Sequence, residues 1–549
     1  VTARPGQVRT PARWPLAGVA AFAFRVFVGA VFTLLAPVLS QAATFYLSDC
    51  QPGAAPGCVP GDDNNTGTSA TSPWRSIAKL NTRVEGLSAG DHILFARGAS
   101  FTDASISVYI PKSNRHKPVV FESYAPAWGA NAAKPILTAA KDKDGISFAD
   151  GGNADHDEGY VVRGLDLRGT GGTGSGIFIF NDVDYITLDD LSITGFALGV
   201  QCSGANTPEP GAKGWNANIA LRNSRIANNA SQGILTKCHE TTVENNVFDD
   251  NGHERAMLDH NVYIEGGEHV FFRGNAIINN GRHDRVALKC QSVPLVVHGT
   301  VRDLVIENNF IGESNATDGC WGLTVDVVND NDSTDGFQDV VIRGNRIVNV
   351  GGLGIGMVGC QRCAIENNHI VWTTKSKMDR VGIAVPNRPT VPSPKDHDLQ
   401  SDQIAIRNNS IYIAGATAHT SGILSADDGN GHSVVSNLIV MDAASSDKAT
   451  CFTTRQHTLA RFSGFGHNLC FRTGGANRWS DKHKSLSAAQ SEGWDAGSLA
   501  TDPQLLAVPS AANDWWIAVG PASPAHKAAH PRLSVRTDIG AFDPSGGKH

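Results

Sequence analysis

From about residue 160 the chain repeats one arrangement of apolar and polar positions. The windows YVVRGLDL, YITLDDLSI, IALRNSRI, TTVENNVF, VFFRGNAI, LVIENNFI, VVIRGNRI, CAIENNHI, IAIRNNSI and SVVSNLIV follow one another. Each alternates apolar and polar residues, turns at a polar pair, and opens a second apolar strand. A period of two marks a half-buried β-strand. Asparagines recur at the turn as Asn223, Asn246, Asn275, Asn309, Asn345, Asn368, Asn409 and Asn437. Leu165 and Leu191 take that place in the two earlier windows. The asparagine spacings are 23, 29, 34, 36, 23, 41 and 28 residues.

A minimum period in the low twenties with variable inserts predicts a β-solenoid, in which each coil folds three short strands around a narrow core. Asparagine at the bend is expected to tolerate left-handed backbone and to hydrogen-bond its copy one coil away. Each coil touches only its neighbours, so both ends need caps. SPWRSIAKLNTRV reads as a short helix with Ser72 as N-cap and Pro73 at the first helical position, and AGDHILFARG as an opening strand. SLSAAQSEGW reads as one short helix within a closing layer.

SPWRSIAK, GDHILF, the NN coils and the SPA…TDIGAF ending together resemble secreted right-handed parallel β-helix proteins of the pectin-lyase-like superfamily. The resemblance covers most of the chain. It implies an all-β, right-handed parallel β-helix with an N-terminal helical cap and an irregular C-terminal cap. The expected divisions are a signal peptide at 1–43, cap and first coils at 44–155, the helix core at 156–445 and a capping region at 446–549.

A second strand follows each bend, and aligning these strands gives GVQCS, GILTK, NVYIE, ALKCQ, GLTVD, GIGMV and GIAVP. Alternation turns Val200, Ile234, Val262, Leu288, Leu323, Ile355 and Ile383 inward. It turns Gln201, Leu235, Tyr263, Lys289, Thr324, Gly356 and Ala384 outward, with Ser203, Lys237, Glu265, Gln291 and Asp326 two positions further along. Coils stack at roughly 4.8 Å. The alignment therefore expects Tyr263 beside Lys289, Lys237 beside Glu265, and Asp326 two coils beyond Glu265. His239, Asp259, His260 and Arg285 are expected around them, on coils with long inserts. This reads as the floor of a groove.

Composition narrows the chemistry. The chain has 549 residues, 41% hydrophobic and 18% charged, with 58 Gly. Residues 1–43 combine Arg4, Arg9, Arg13 and Arg25 with an apolar run ending in LSQAATFY, the pattern of an export signal. Its removal takes four arginines and no acids, lowering the formal net charge from −7 to −11. Such a balance argues against a nucleic-acid partner. The expected product is secreted or periplasmic, free of the membrane after cleavage, and monomeric. Ten cysteines behind an export signal permit disulfides. Cys50 with Cys58 and Cys451 with Cys470 are spaced to staple the ends, whereas Cys360 and Cys363 form an isolated CxxC.

A polysaccharide substrate follows from the resemblance, and β-elimination on a uronate-containing glycan is the expected reaction. That chemistry needs a cation to neutralise the carboxylate, a base for the C5 proton and an acid for the leaving oxygen. Lys289 or His260 would be the base and Tyr263 the proton donor or base. Arg285 and Lys237 would clamp carboxylates. Lys289 in VALKCQ looks like the catalytic lysine of some β-helix lyases. His239, Glu265 and Asp326 complete the expected substrate surface. Asp330, Asp332 and Asp335 in VVNDNDSTDGFQD supply oxygen ligands suited to calcium.

The chain lacks the Tyr-Gly-x-Asp-Pro-His stretch of alginate epimerases and the Asp-Asp and Gly-His-Gly signatures of polygalacturonases. Thr324 stands where the chondroitinase and alginate lyase group carries an arginine. Two other readings are therefore kept: a glycoside hydrolase using Glu265 and Asp326, and a non-catalytic glycan-binding or adhesion solenoid.

Overall fold

A computed structural model describes residues 42–541 except 151–157, 204–214, 256–257, 281, 285–288, 291, 314–320, 328–335, 376–377, 387–397, 426–428, 456–457 and 477. Almost all of the expected signal segment, residues 1–41, lies outside the described residues. The chain from Ala42 onward winds into a parallel β-helix, with every circuit laying strands on three faces. The first face includes Leu198–Ser203, Gln232–Lys237, the start of His260–Arg273, the start of Leu295–Glu307, Leu323–Val325 and Leu353–Met357. The second carries the strands before the asparagine turn, and the third a sheet of 13 short strands after it.

Two coils depart from this plan. His260–Arg273 and Leu295–Glu307 run as 14- and 13-residue strands through the corner between the first and second faces. They therefore join those faces into one 27-stranded sheet. The bend they share is made by β-bulges. Gly299 at φ +74° belongs to it, and a Cβ there would overlap the carbonyl of Glu265.

The core is a set of aliphatic columns. Val200 pairs with Ile234, then Val262, Leu295, Leu323, Ile355 and Ile383, coil by coil. All seven are buried. Full burial of each such side chain contributes about 1.5–3 kcal/mol. The expected column differs at one place, because Leu295 rather than Leu288 is its fourth member.

The asparagine ladder is present with one shift. Ser224, not Asn223, begins it, followed by Asn246, Asn275, Asn309, Asn345, Asn368, Asn409, Asn437 and Asn468. Each Asn Oδ1 accepts the backbone N–H of the preceding coil's ladder residue. Its Nδ2 donates to a carbonyl of that coil, as Asn309 does to Phe272 O at 3.0 Å. Left-handed backbone falls on the residue before the ladder position, as at Asn223, Asn245, Asn308, Asn367 and Asn408. The two tasks expected of one asparagine are thus divided between adjacent residues. A second ladder of Asn229, Asn251, Asn261 and Asn280 lines another corner.

On the second face the residue two before each ladder position alternates in charge over ten coils. Glu122, Arg163, Asp189, Arg222, Glu244, Arg273, Glu307, Arg343, Glu366 and Arg407 are register partners in turn. An exposed pair contributes only about 0–1 kcal/mol. Alternation does more for the order of the coils, because pairing that skipped a coil would set like charges together.

The N-terminal helix is Ile77–Asn81, capped by Ser76, whose Oγ accepts Lys79 N–H at 3.1 Å. The cap expected at Ser72 is displaced because Trp74 is committed elsewhere. It is buried, stacks on Phe45 at 4.8 Å, and bridges Leu47 in extended form. The C-terminal helix is Leu486–Ser491. Parallel strand pairing continues past residue 445 to Arg478–Ser480, and isolated parallel bridges reach Ala496 and Leu499.

Four disulfides are described: Cys50–Cys58, Cys202–Cys238, Cys360–Cys363 and Cys451–Cys470. The CxxC is thus a buried crosslink. Among the described residues no helix is long and apolar enough to cross a membrane.

Candidate functional site

The outward column of the first face runs Phe178, Gln201, Leu235, Tyr263, Val296, Thr324, Gly356 and Ala384. Tyr263 therefore neighbours Val296, and Lys289 is not in the column. Lys289–Cys290 instead forms a two-stranded antiparallel ribbon with Arg282–Asp284, off the parallel sheet. The pairing of Val262 with Leu295, and of Leu295 with Leu323, puts the window PLVVHG rather than ALKCQ on this face.

The correction brings His298 to the site, a residue that the sequence reading missed. It follows inward Val297 and so points outward, and its ring lies 5.6 Å from that of Tyr263, edge to face. His298 Nδ1 is 2.5 Å from the carbonyl oxygen of Asp326. A carbonyl only accepts, so Nδ1 carries a proton and donates it.

Asp326 follows inward Val325 and points to the same side, two coils beyond Glu265 as expected. Glu265 is the bulged residue of its strand, and Lys237 pairs with Gly266, one place from where it was expected. Lys237, Glu265, His298 and Asp326 are all partly exposed. Cys238, directly after Lys237, is tied to Cys202 of the coil before. That bond anchors the end of the Lys237 strand.

His260 closes the other side of Tyr263, with ring centroids 5.6 Å apart. It is buried, and its Nδ1 lies 2.9 Å from Val293 O and 3.0 Å from Ser292 Oγ. Burial lowers its pKa to about 4, assisted by nearby His298 and opposed by the Val293 carbonyl. At neutral pH the ring is uncharged. Asp259, also buried, grips the Arg255 guanidinium at 2.7 and 3.1 Å. It is a structural acid at the strand's entry.

His239 stands apart from this group. It is buried against Trp215 with centroids 3.9 Å apart, and its Nδ1 accepts the Glu268 N–H at 3.1 Å. Burial lowers its pKa to about 4. It packs the corner between two faces and does not line the Tyr263 column. Arg285, Asp330, Asp332 and Asp335 lie outside the described residues. Among the described residues no group of three or more His, Cys, Asp or Glu side chains is arranged to hold a metal ion.

Residues 140–385 match the family model described as right handed beta helix region. Over 357 residues the chain is 24% identical to a lacto-N-biosidase of Bifidobacterium longum subsp. longum. That alignment covers 61% of this chain and 20% of the relative, so the chain spans about a fifth of that relative's length. Among solved structures, the Dettilon tailspike protein superposes with a TM-score of 0.44 at 13% identity, covering 74% of this chain and 68% of its own. The A-module of an Azotobacter vinelandii mannuronan C-5 epimerase gives 0.41 at 14% identity, covering 65% and 89% respectively.

Proposed function

We propose that this right-handed parallel β-helix protein is an extracytoplasmic enzyme that cleaves a glycan along its first face, by hydrolysis at Glu265 and Asp326. The observation that carries this reading is the placement of those two carboxylates. Both are partly exposed and follow inward residues, Ile264 and Val325, two coils apart, with His298 following Val297 on the coil between. Two coil spacings are about 9.6 Å at the backbone. Carboxyl groups about 6.5–9.5 Å apart suit an inverting hydrolase, in which one acid protonates the leaving oxygen and the other activates water. The similarity to a lacto-N-biosidase supports the same class, and the disulfides support an oxidising compartment.

Glu265 sits at the bulge, which turns the corner without ending the strand. The backbone of Asp326 is held by its carbonyl, which accepts a hydrogen bond from His298 Nδ1. Tyr263 and Lys237 flank the pair and offer a phenol and an ammonium to sugar hydroxyls.

A second reading, β-elimination, is favoured by one feature: the Tyr263 phenol lies between two imidazoles, of which His260 is held neutral. A phenol beside the bound chain can protonate a leaving glycosidic oxygen. Against it, Val296 rather than Lys289 stands beside Tyr263, and the carboxylates on the two flanking coils would repel a uronate.

The test is to incubate the protein with neutral and uronate-containing glycans while following reducing ends and ultraviolet absorbance together. New reducing ends without absorbance, lost in Glu265→Gln and Asp326→Asn, support hydrolysis. Absorbance from unsaturated uronate, lost in Tyr263→Phe, replaces it with elimination. No product from any glycan leaves a binding solenoid.

A further inference from the structure

We infer that Phe178 and Phe180 form an aromatic subsite that stacks a pyranose ring of the bound glycan about three coils from Tyr263. The inference rests on the glycan reading above and adds the direction and reach of the bound chain.

Phe178 and Phe180 sit two residues apart on one strand, and both point outward. Their rings stack with centroids 5.5 Å apart and an interplanar angle of 30°. Phe180 is 42% exposed. A phenylalanine has no polar tip to reward such exposure, and every inward position of these coils takes apolar side chains. The pair is not isolated. Val108 pairs with Phe148, so Tyr109, 45% exposed, comes level with Ala149, which in turn pairs with Phe180. Exposed aromatics therefore recur in one column of the first face, with the small Ala149 between them.

The Phe178 strand is in register with the candidate site. Phe178 pairs with Gln201, Gln201 with Leu235, and Leu235 with Tyr263. Three coil spacings come to about 14 Å. One spacing is close to the length of a sugar residue in an extended glycan, so a chain lying along the column places a ring on Phe178 some three residues from Tyr263. Gln201 is set for that chain. Its Oε1 accepts Ser175 Oγ–H at 2.9 Å and its Nε2 lies 3.3 Å from Ser203 Oγ, which fixes the amide between Phe178 and Leu235. An exposed aromatic ring followed by a held amide matches a pyranose, whose apolar C–H face stacks on a ring while its hydroxyls take hydrogen bonds.

The experiment uses arrays of alginate, polygalacturonate, hyaluronan and poly-N-acetyllactosamine oligosaccharides, graded from disaccharide to octasaccharide. Wild type, Phe178→Ala/Phe180→Ala and Phe178→Trp/Phe180→Trp are compared, with thermal midpoints as a folding control. Oligosaccharides long enough to reach Phe178 should bind the alanine variant about ten-fold more weakly. Disaccharides should bind it equally well, and the tryptophan variant should retain the preference for length. Equal binding of long oligosaccharides by all three proteins overturns the subsite while leaving the carboxylate reading intact. So does a loss that ignores length. A length-dependent loss in a protein that yields no product keeps the subsite and removes the catalytic reading. Failure of wild type to bind any oligosaccharide overturns both.

Discussion

His298 Nδ1 lies 2.5 Å from the carbonyl oxygen of Asp326, so the imidazole of one coil is pinned by the backbone of the next. The link sets the ring's tautomer and holds it beside Tyr263. Replacing His298 with Ala removes this brace and leaves both carboxylates in place. The expected result is a loss of turnover smaller than that of Glu265→Gln or Asp326→Asn, which should each fall by about 10²–10⁴-fold. His298→Asn, which keeps a donor for the carbonyl, should recover part of the loss. Reducing-end assays at saturating substrate decide it, and equal loss in all the variants would make His298 a catalytic group in its own right.

Tyr263 separates the two chemistries. In a hydrolase its hydroxyl only binds sugar, so Tyr263→Phe should raise KM several-fold and leave kcat within about three-fold. In an elimination the same change removes the acid or base and should lower kcat by about 10²-fold or more. Steady-state kinetics on a single glycan distinguishes them.

The asparagine ladder predicts a contrast in stability. Asn309 is buried, with its Oδ1 and Nδ2 both bonded to the preceding coil. Asn309→Ala strands the buried N–H of Asn275 and the carbonyl of Phe272, at a cost of about 1–3 kcal/mol for each unsatisfied group. Asn223 serves mainly to hold left-handed backbone at φ 52°, so Asn223→Gly should cost under about 1 kcal/mol. Urea midpoints of the two variants should therefore fall far apart. Similar midpoints would mean that the ladder bonds add little beyond turn geometry.

The repeat made the fold legible, because apolar alternation and ladder asparagines are printed in every coil. Tyr263 could be placed in the outward column for the same reason. Lys289 could not be placed, because the segment between Asn275 and Asn309 contains two alternating windows, ALKCQ and PLVVHG. Only pairing to the neighbouring coils selects the second. His298 was lost with that choice. The charge alternation from Arg163 to Arg407 was visible in the quoted windows, and it would have confirmed the order of coils on the second face. The Phe178 and Phe180 pair lies before the first turn asparagine, where the repeat is carried by leucine and is harder to see. Asn223 was taken for a ladder member because a residue that bends the chain and one that bridges coils are adjacent and often both asparagine.

Acid should weaken the fold through its buried histidines. His260 and His239 have pKa values lowered to about 4, both chiefly by burial. In the unfolded chain each titrates near 6.5. The neutral form is therefore the one the fold prefers, and its stability is fully present above about pH 6.5. As pH falls from 6.5 toward 4 the unfolded chain takes up protons that the folded chain refuses, and stability is lost. Asp495 works in the opposite direction. Burial raises its pKa to about 6, against hydrogen bonds from Trp479 and Ser498, so its protonation in the same interval favours the folded state. Two histidines against one acid leave a net loss. Urea midpoints at pH 7 and pH 5 should show the wild type weaker at pH 5. His260→Gln should shrink that difference, and Asp495→Asn, which removes the opposing proton uptake, should enlarge it. A wild-type midpoint that does not move between the two pH values would mean that these histidines are protonated in the folded protein.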